Sequence, residues 1–169
     1  MPIKEKLYPW ADKLSKNVAV KTATLFGIGN LAAPGTWGSA VGIALYPLFC
    51  KLNVPLYILA CIVLAYIAVG ICDAAERHLQ VRDPGMINLD EFVAMPVCFF
   101  NPFETQYSIW GLLLGFALFR LFDITKLLFI NKLQALEGGL GCVADDIAAG
   151  IVTCICLISI SFFTNFLII

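Results

Sequence analysis

Two long apolar runs, at residues 54–72 and 147–169, constrain the fold of this chain more than any other feature. A transmembrane helix needs about 20 predominantly apolar residues, with a range of about 17 to 25, and both runs meet that requirement. Shorter apolar runs occupy 37–50, 92–100 and 107–119, and the last reaches spanning length when it is extended to residue 122. The pattern predicts an all-α membrane protein, a compact bundle of about five membrane-embedded helices in which the short ones are tilted, partly buried or re-entrant.

Composition agrees with a membrane protein. Hydrophobic residues make up 60% of the chain and charged residues 14%, against roughly 45–50% and about 25% in soluble domains. The formal net charge of -1 provides no basic face, so we expect no nucleic-acid partner. The length predicts a single domain over residues 1–169, with residues 1–24 as an amphipathic lead-in on the cytoplasmic membrane surface.

The distribution of charge predicts the topology. If successive apolar runs cross the membrane in alternation, ten of the eleven basic residues fall on one side and Lys51 lies alone on the other. Eleven of the twelve acidic residues share the basic side, with Glu104 the exception. The positive-inside rule makes that side cytoplasmic. This arrangement requires a hairpin around Asn101-Pro102-Phe103.

Acidic residues stand at the edges of the apolar runs, on the predicted cytoplasmic side. They are Asp90, Glu91, Asp123, Asp145 and Asp146. Acids that open an apolar helix can simply interact with its dipole. Paired carboxylates are also how proteins hold hard cations such as Mg²⁺, together with water and substrate oxygens. Five carboxylates on one side repel one another unless cations balance them, and this favours the metal interpretation.

Arg120 and Lys126 lie three residues to either side of Asp123, which predicts that all three lie on neighbouring turns of one helix. The spacing is compatible with helix-surface ion pairs worth a few tenths of a kcal/mol. At a metal site the two cations would instead clamp a phosphate group, with Asp123 as a metal ligand. Both interpretations remain open from the spacing alone.

A turn at Pro34-Gly35 predicts a helix that begins at Thr36 or Trp37. Free N–H groups at that helix start, with the hydroxyls of Thr36 and Ser39, would bind an anion. The alternative is that Thr36 is only an N-cap.

The sequence lacks the residues that other reaction classes require. His78 is the only histidine, whereas histidine-dependent lipid phosphatases need more than one, and no G-x-S-x-G motif is present. The seven cysteines form no C-x-x-C pair, and most lie inside apolar runs, where they are expected to pack as small hydrophobes. The remaining possibility is a reaction carried out by carboxylates, a metal ion and water.

Three motifs together resemble the phosphatidylglycerophosphatase A family. They are APGTWGS at 33–39, DPGMINLDE at 83–91, and RLFDITK with GGLGCVADDIAAG within 120–150. The resemblance covers about residues 27–150 in the family's order and spacing. Two departures are Ala94, where the family usually has glycine, and the absence of two prolines that usually follow Lys126.

The resemblance implies a Mg²⁺-dependent enzyme of the bacterial inner membrane that removes the terminal phosphate of phosphatidylglycerophosphate to give phosphatidylglycerol. Its partners would be the phospholipid substrate and the lipid bilayer, in a multi-pass protein whose active site faces the cytoplasm. The expected metal ligands are Asp90, Glu91, Asp123, Asp145 and Asp146. The expected catalytic residues are Asp90, Glu91, Asp123 and Asp146. The expected phosphate-binding residues are Thr36, Ser39, Arg120 and Lys126.

The alternative function is a small cation-binding transporter or a membrane assembly subunit that uses the same acids. A transporter should place its acids near the bilayer midplane. The middles of the long runs, around Ile62 and Cys156, carry no charge. This favours the enzyme.

Overall fold

The computed structural model describes residues 8–103, 105–126, 130–164 and 167. All of the regular elements within these ranges are helices, which confirms the predicted all-α class. The α-helices are α1 (Lys16–Ala23), α2 (Pro34–Gly42), α3 (Tyr46–Phe49), α4 (Val54–Leu79), α5 (Leu89–Cys98), α6 (Ile109–Thr125), α7 (Ile130–Leu133) and α8 (Gly139–Phe163). Short 3₁₀ turns occupy Ala11–Lys13, Leu25–Asn30 and Ile43–Leu45.

Within the described residues, α4 and α8 are the two helices that are long and apolar enough to cross a membrane. Their 26 and 25 residues correspond to about 39 and 38 Å, more than the hydrocarbon core of about 30 Å. Asn53 caps α4, because its side chain accepts a hydrogen bond from the Leu56 N–H at 3.1 Å. The helix therefore begins where the apolar run begins, and it extends past residue 72 into charged turns.

The predicted third span corresponds to α6, which has 17 residues and lies at the lower end of the spanning range. Ser108 caps its start by accepting a hydrogen bond from the Gly111 N–H at 3.3 Å. The predicted hairpin at 101–103 is a turn in which Asn101 Oδ1 accepts from the Phe103 N–H at 3.0 Å. The count of about five embedded helices stays a prediction.

The N-terminal segment packs along α4 from Tyr8 onward, and residues 1–7 of the predicted lead-in lie outside the described residues. The Trp10 indole lies on Gly70, where any larger residue would overlap the ring. Its Nε1–H donates to the Tyr66 hydroxyl at 3.1 Å. Arg77 forms an ion pair with Asp12 at 2.6 Å. The segment is thus docked on a helix, and its predicted place on the membrane surface stays a prediction.

A stripe of glycines lets α2 approach α5 closely. A Cβ at Gly38 would lie 2.6 Å from the Asn88 carbonyl oxygen, and one at Gly42 would lie 2.6 Å from that of Phe92. Small residues at such positions allow two helix backbones to touch. The start of α5 therefore rests directly on α2.

The first turns of α8 lie against the last third of α4. Gly139 is so close that a Cβ there would overlap the Val69 carbonyl and the Asp73 backbone. Further along α8, Gly150 approaches α5, with the Ala94 carbonyl 3.1 Å from its ideal Cβ position. The end of α4 and the starts of α5 and α8 therefore meet in one region.

The predicted topology can be tested with single cysteines in a variant whose native cysteines are replaced. Lys51→Cys and Glu137→Cys are suitable because both positions are exposed. We expect a membrane-impermeant thiol reagent to label Lys51→Cys on intact bacterial cells and to label Glu137→Cys only on inverted vesicles, because the basic side should be cytoplasmic. Labelling of Glu137→Cys from outside would reverse the orientation.

Candidate metal and phosphate site

Asp90 and Glu91 lie in the first turn of α5, as predicted. Asp90 Oδ1 accepts a hydrogen bond from the Glu91 N–H at 3.0 Å. Asp90 is buried, with 5% of its surface exposed. A carboxylate at this depth requires compensation from hydrogen bonds, cations or protonation.

Asp145 and Asp146 lie in the second turn of α8, not at its start as the sequence suggested. The helix begins eight residues before the predicted 147, because only Gly138, with φ 62°, breaks the chain. Gly139 and Gly141 are already helical and serve close packing. The dipole effect falls off within the first turn, so a favourable helix dipole does not explain these two buried acids.

Arg120 and Asp123 lie in α6, which ends at Thr125. Lys126 is the C-cap residue in the left-handed conformation, with φ 47°, so the expectation that all three residues share one helix is wrong. The contacts nevertheless form: Arg120 Nη1 lies 2.7 Å from Asp123 Oδ2, and Lys126 Nζ lies 3.0 Å from Asp123 Oδ1. Residues 127–129, where the two family prolines are missing, lie outside the described residues.

Contacts between helices bring the five predicted carboxylates together. Lys126 Nζ lies 2.5 Å from Asp145 Oδ2 and 3.8 Å from Asp146 Oδ1. Arg120 Nη1 lies 3.7 Å from Glu91 Oε1. Oxygens of Asp90, Glu91 and Asp146 all lie within 4.8 Å of one another. The start of α5, the end of α6 and the second turn of α8 thus form one acidic cluster.

Charge in this cluster is unbalanced. Five carboxylates face two cationic side chains, so full ionisation leaves three negative charges uncompensated. Burial, followed by the Asp90 carboxylate, raises the pKa of Glu91 well above its ordinary value. Burial lowers the pKa of Lys126, but the carboxylates of Asp146, Asp123 and Asp145 outweigh it and raise that pKa.

The cluster fits a hard divalent cation. Its ligand atoms are carboxylate oxygens, which Mg²⁺ and Ca²⁺ prefer. Glu91 Oε2 is buried and has no hydrogen-bond partner among the described residues. A bound cation would satisfy that oxygen and would favour the ionised form of the neighbouring acids.

The start of α2 differs from its prediction. The helix begins at Pro34 rather than at Thr36 or Trp37, and Ala33 precedes it with φ 56°. The N–H groups of Thr36 and Trp37 donate to the Ala33 carbonyl at 3.0 and 3.4 Å. Thr36 is therefore not an N-cap, and these two N–H groups are already engaged within the first turn.

The α2 start nevertheless borders the acidic cluster. A Cβ at Gly35 would overlap Glu91 Oε1 and would lie 2.8 Å from Arg120 Nη1. Ser39 is fully buried, and its hydroxyl donates to the Gly35 carbonyl at 2.7 Å. Thr36, the residue after Gly35, is half-buried. The phosphate-binding roles of Thr36 and Ser39 stay predictions.

Two neighbours of the cluster were missed from the sequence. Asn88 is fully buried and donates to the Pro34 carbonyl at 3.3 Å. Cys142 donates from Sγ to Asp90 Oδ2 at 2.8 Å, so it does more than fill apolar space. The signal that could have identified Asn88 is its position as a polar residue between two apolar residues, Ile87 and Leu89. Cys142 gave no signal, since its neighbours in sequence are glycines and apolar residues.

The chain also matches a known protein family. Residues 21–161 match the family model described as "Phosphatidylglycerophosphatase A". This chain belongs to that family. The match covers all three motifs and every predicted site residue.

Curated relatives agree with this membership. The phosphatidylglycerophosphatase A of Haemophilus influenzae is 33% identical over 81% of this chain and 85% of the relative. That of Escherichia coli is 32% identical over 76% of this chain and 74% of the relative. A Bacteroides thetaiotaomicron protein named "Putative phosphatidylinositol-3-phosphatase" is 33% identical over 78% of this chain and 86% of its own length. No solved structure matches the chain.

Removal of the lysine charge should destabilise the fold. We expect Lys126→Met to lower the free energy of unfolding by about 2–3 kcal/mol, less than the 3–5 kcal/mol of fully buried pairs because the lysine side chain is 25% exposed. Thermal unfolding in detergent, followed by circular dichroism, measures this change.

The matched control is Lys132→Met, at an exposed position in α7. We expect it to stay within about 0.5 kcal/mol of the parent. Equal stability of both variants would show that the acidic cluster does not need the charge of Lys126.

Proposed function

We propose that this protein is a Mg²⁺-dependent phosphatase that hydrolyses the terminal phosphomonoester of phosphatidylglycerophosphate to give phosphatidylglycerol. The observation that carries the proposal is the convergence of five carboxylates and two cations in one cluster. Membership in the phosphatidylglycerophosphatase A family supplies the reaction class.

The acids would hold the metal and the water. Asp90, Glu91, Asp123, Asp145 and Asp146 are the ligand candidates. Bound Mg²⁺ would neutralise charge on the phosphoryl group and orient the reacting groups. One of Asp90, Glu91, Asp123 and Asp146 would orient or deprotonate the attacking water, whose oxygen bonds to phosphorus as the lipid ester oxygen leaves.

The cations would serve the phosphate. Arg120 and Lys126 are now shared among carboxylates, at 2.5 to 3.8 Å. A metal on those carboxylates would take over part of that compensation, and both side chains would become available to phosphate oxygens. Thr36 and Ser39 would complete the pocket from α2.

The position of the acids along the helices favours the enzyme over a transporter. Asp145 and Asp146 follow the start of α8 by six and seven residues, about 9–11 Å. From Ile147 to Phe163 the helix carries no ionised residue type, and neither does α4 between Val54 and Cys72. A cation path through the bilayer would need acids near the midplane. We therefore propose that the site lies near one end of the spanning helices, and by the positive-inside rule this would be the cytoplasmic end of a multi-pass inner-membrane protein.

A second lipid substrate competes with the first. The Bacteroides relative is named for an inositol lipid phosphate, at the same 33% identity as the Haemophilus relative. Both lipids present a phosphomonoester to the site, and the charged groups described above recognise the phosphate rather than the alcohol. An assay of the two lipids side by side therefore distinguishes the two headgroup alcohols.

Phosphate release from a panel of lipid phosphomonoesters tests the proposal. We expect purified protein in detergent micelles to release phosphate from phosphatidylglycerophosphate with Mg²⁺ and to stop when EDTA is added. Phosphatidylinositol 3-phosphate belongs in the same panel. Faster turnover of the inositol lipid would reject the named substrate, and release of no phosphate together with cation flux in vesicles would reject the enzyme.

The matched variants for this assay are Asp146→Asn and Glu137→Gln. Asparagine keeps the shape of Asp146 but removes a charge from the cluster, so turnover should fall by about 100-fold or more. Glu137 is an exposed acid on the loop before α8, and its variant should keep parental turnover.

Gly35 provides a test that does not alter any charge. The alanine Cβ of Gly35→Ala would displace only the far ends of Glu91 and Arg120, so the melting temperature should stay within a few degrees while turnover falls about 10-fold or more. The control is Gly85→Ala, because a Cβ at Gly85 meets nothing within 4 Å. Normal turnover of Gly35→Ala would show that α2 does not border the reacting groups.

A further inference from the structure

The acidic cluster has a second face with different ligand chemistry. Asp90 Oδ2 accepts from Cys142 Sγ at 2.8 Å, while Asp90 Oδ1 lies on the Glu91 N–H. Ligand atoms of Asp83, Asp90 and Cys142 all lie within 4.8 Å of one another. Asp90 therefore belongs to two groups of potential ligands, one made of oxygens alone and one that contains sulfur.

A second thiol adjoins the sulfur-containing group. Cys72 of α4 and Cys142 of α8 belong to the same buried core cluster. Cys72 is fully buried and Cys142 is 4% exposed. The sulfur-containing group itself combines one thiol from α8 with two carboxylates, one from α5 and one from the loop before it.

The loop side of this group is ordered and open to solvent. Asp83 is exposed, and its Oδ2 accepts from Gln134 Nε2 at 2.8 Å. Its N–H donates to Glu76 Oε1 at 2.8 Å. Hydrogen bonds of this kind orient a ligand before the metal arrives. Asp83 is thus the solvent-exposed member of the group.

We propose that Cys142, Asp90 and Asp83 form a binding site for a thiophilic divalent cation of the zinc class. Mixed sulfur and carboxylate ligands suit Zn²⁺, whereas Mg²⁺ prefers oxygen alone. A tetrahedral zinc ion with bonds of 2.0–2.3 Å needs ligand atoms about 3.5 Å apart, so a small contraction of the 4.8 Å group suffices.

Zinc binding would inhibit the enzyme, and this consequence rests on the proposed function. Both groups use Asp90, so an ion on the sulfur side engages a carboxylate that the Mg²⁺ site needs. Two dications that share one carboxylate also repel each other. Zn²⁺ should therefore weaken Mg²⁺-supported turnover.

Direct binding tests the site without any turnover. Purified protein in detergent is dialysed against Zn²⁺ and its metal content is measured, and Co²⁺ serves as a second probe through its thiolate charge-transfer absorption. We expect Cys142→Ser to lose at least about 10-fold in Zn²⁺ affinity, the lower end of what even outer ligands contribute, and to lose the Co²⁺ band. Asp83→Asn, at an exposed position, is a second variant in case Cys142→Ser fails to fold.

The matched control is Cys154→Ser. Cys154 lies twelve residues further along α8, about 18 Å away, and its thiol donates to the Phe100 carbonyl at 3.2 Å. We expect this variant to bind Zn²⁺ and Co²⁺ like the parent. Equal zinc affinity in the parent, Cys142→Ser and Asp83→Asn would overturn the site and leave the Cys142–Asp90 contact as a plain hydrogen bond.

Inhibition is measured as the Zn²⁺ concentration that halves turnover, with each variant normalised to its own rate in Mg²⁺ alone. We expect the midpoint of Cys142→Ser to rise at least about 10-fold. Zinc binding without inhibition would overturn the shared role of Asp90. A parent that binds Zn²⁺ but releases no phosphate would reject the proposed function and support the metal site by itself.

Discussion

The structure depends on how buried negative charge is compensated where the helices meet. Removing a carboxylate from water costs several kcal/mol unless a cation or a hydrogen bond replaces the lost hydration. Lys126 lies within 3.8 Å of three carboxylates and Arg120 within 3.7 Å of two, yet five acids still exceed two cations. The remaining charge makes this region a site for cations rather than a closed ion-pair network.

Close helix packing produces this concentration of charge. The glycines of α2 let the start of α5 come near. Gly139 lets α8 lie on the backbone of α4, and Gly141 lets α8 lie on the turn that precedes α8. A Cβ at Gly38, Gly42 or Gly139 would overlap the backbone of the neighbouring helix or its cap, so larger residues would force the helices apart. The glycines in the motifs thus explain how acids from three distant segments come within a few ångströms.

The sequence predicted the helical class and all five acids of the cluster, because long apolar runs and isolated charges are strong local signals. Element boundaries were less predictable. The apolar run that predicts the last helix begins at residue 147, although tertiary packing makes Gly139 and Gly141 part of α8. Lys126 read as helical by its spacing from Asp123, although the chain turns there. Cys142 could not be recognised at all, because its contact with Asp90 spans 52 residues of sequence.

The backbone at Lys126 connects the fold to the cluster in a further way. A left-handed conformation, here φ 47°, costs a residue with a Cβ roughly 1–2 kcal/mol. The ion pairs with Asp123 and Asp145 offset that cost, because this turn brings the amine to 3.0 and 2.5 Å from their carboxylate oxygens. The backbone strain at Lys126 and the charge compensation by its amine are therefore energetically coupled. The free-energy changes of substitutions at Lys126 and Asp145 will not add, because either substitution removes the same ion pair.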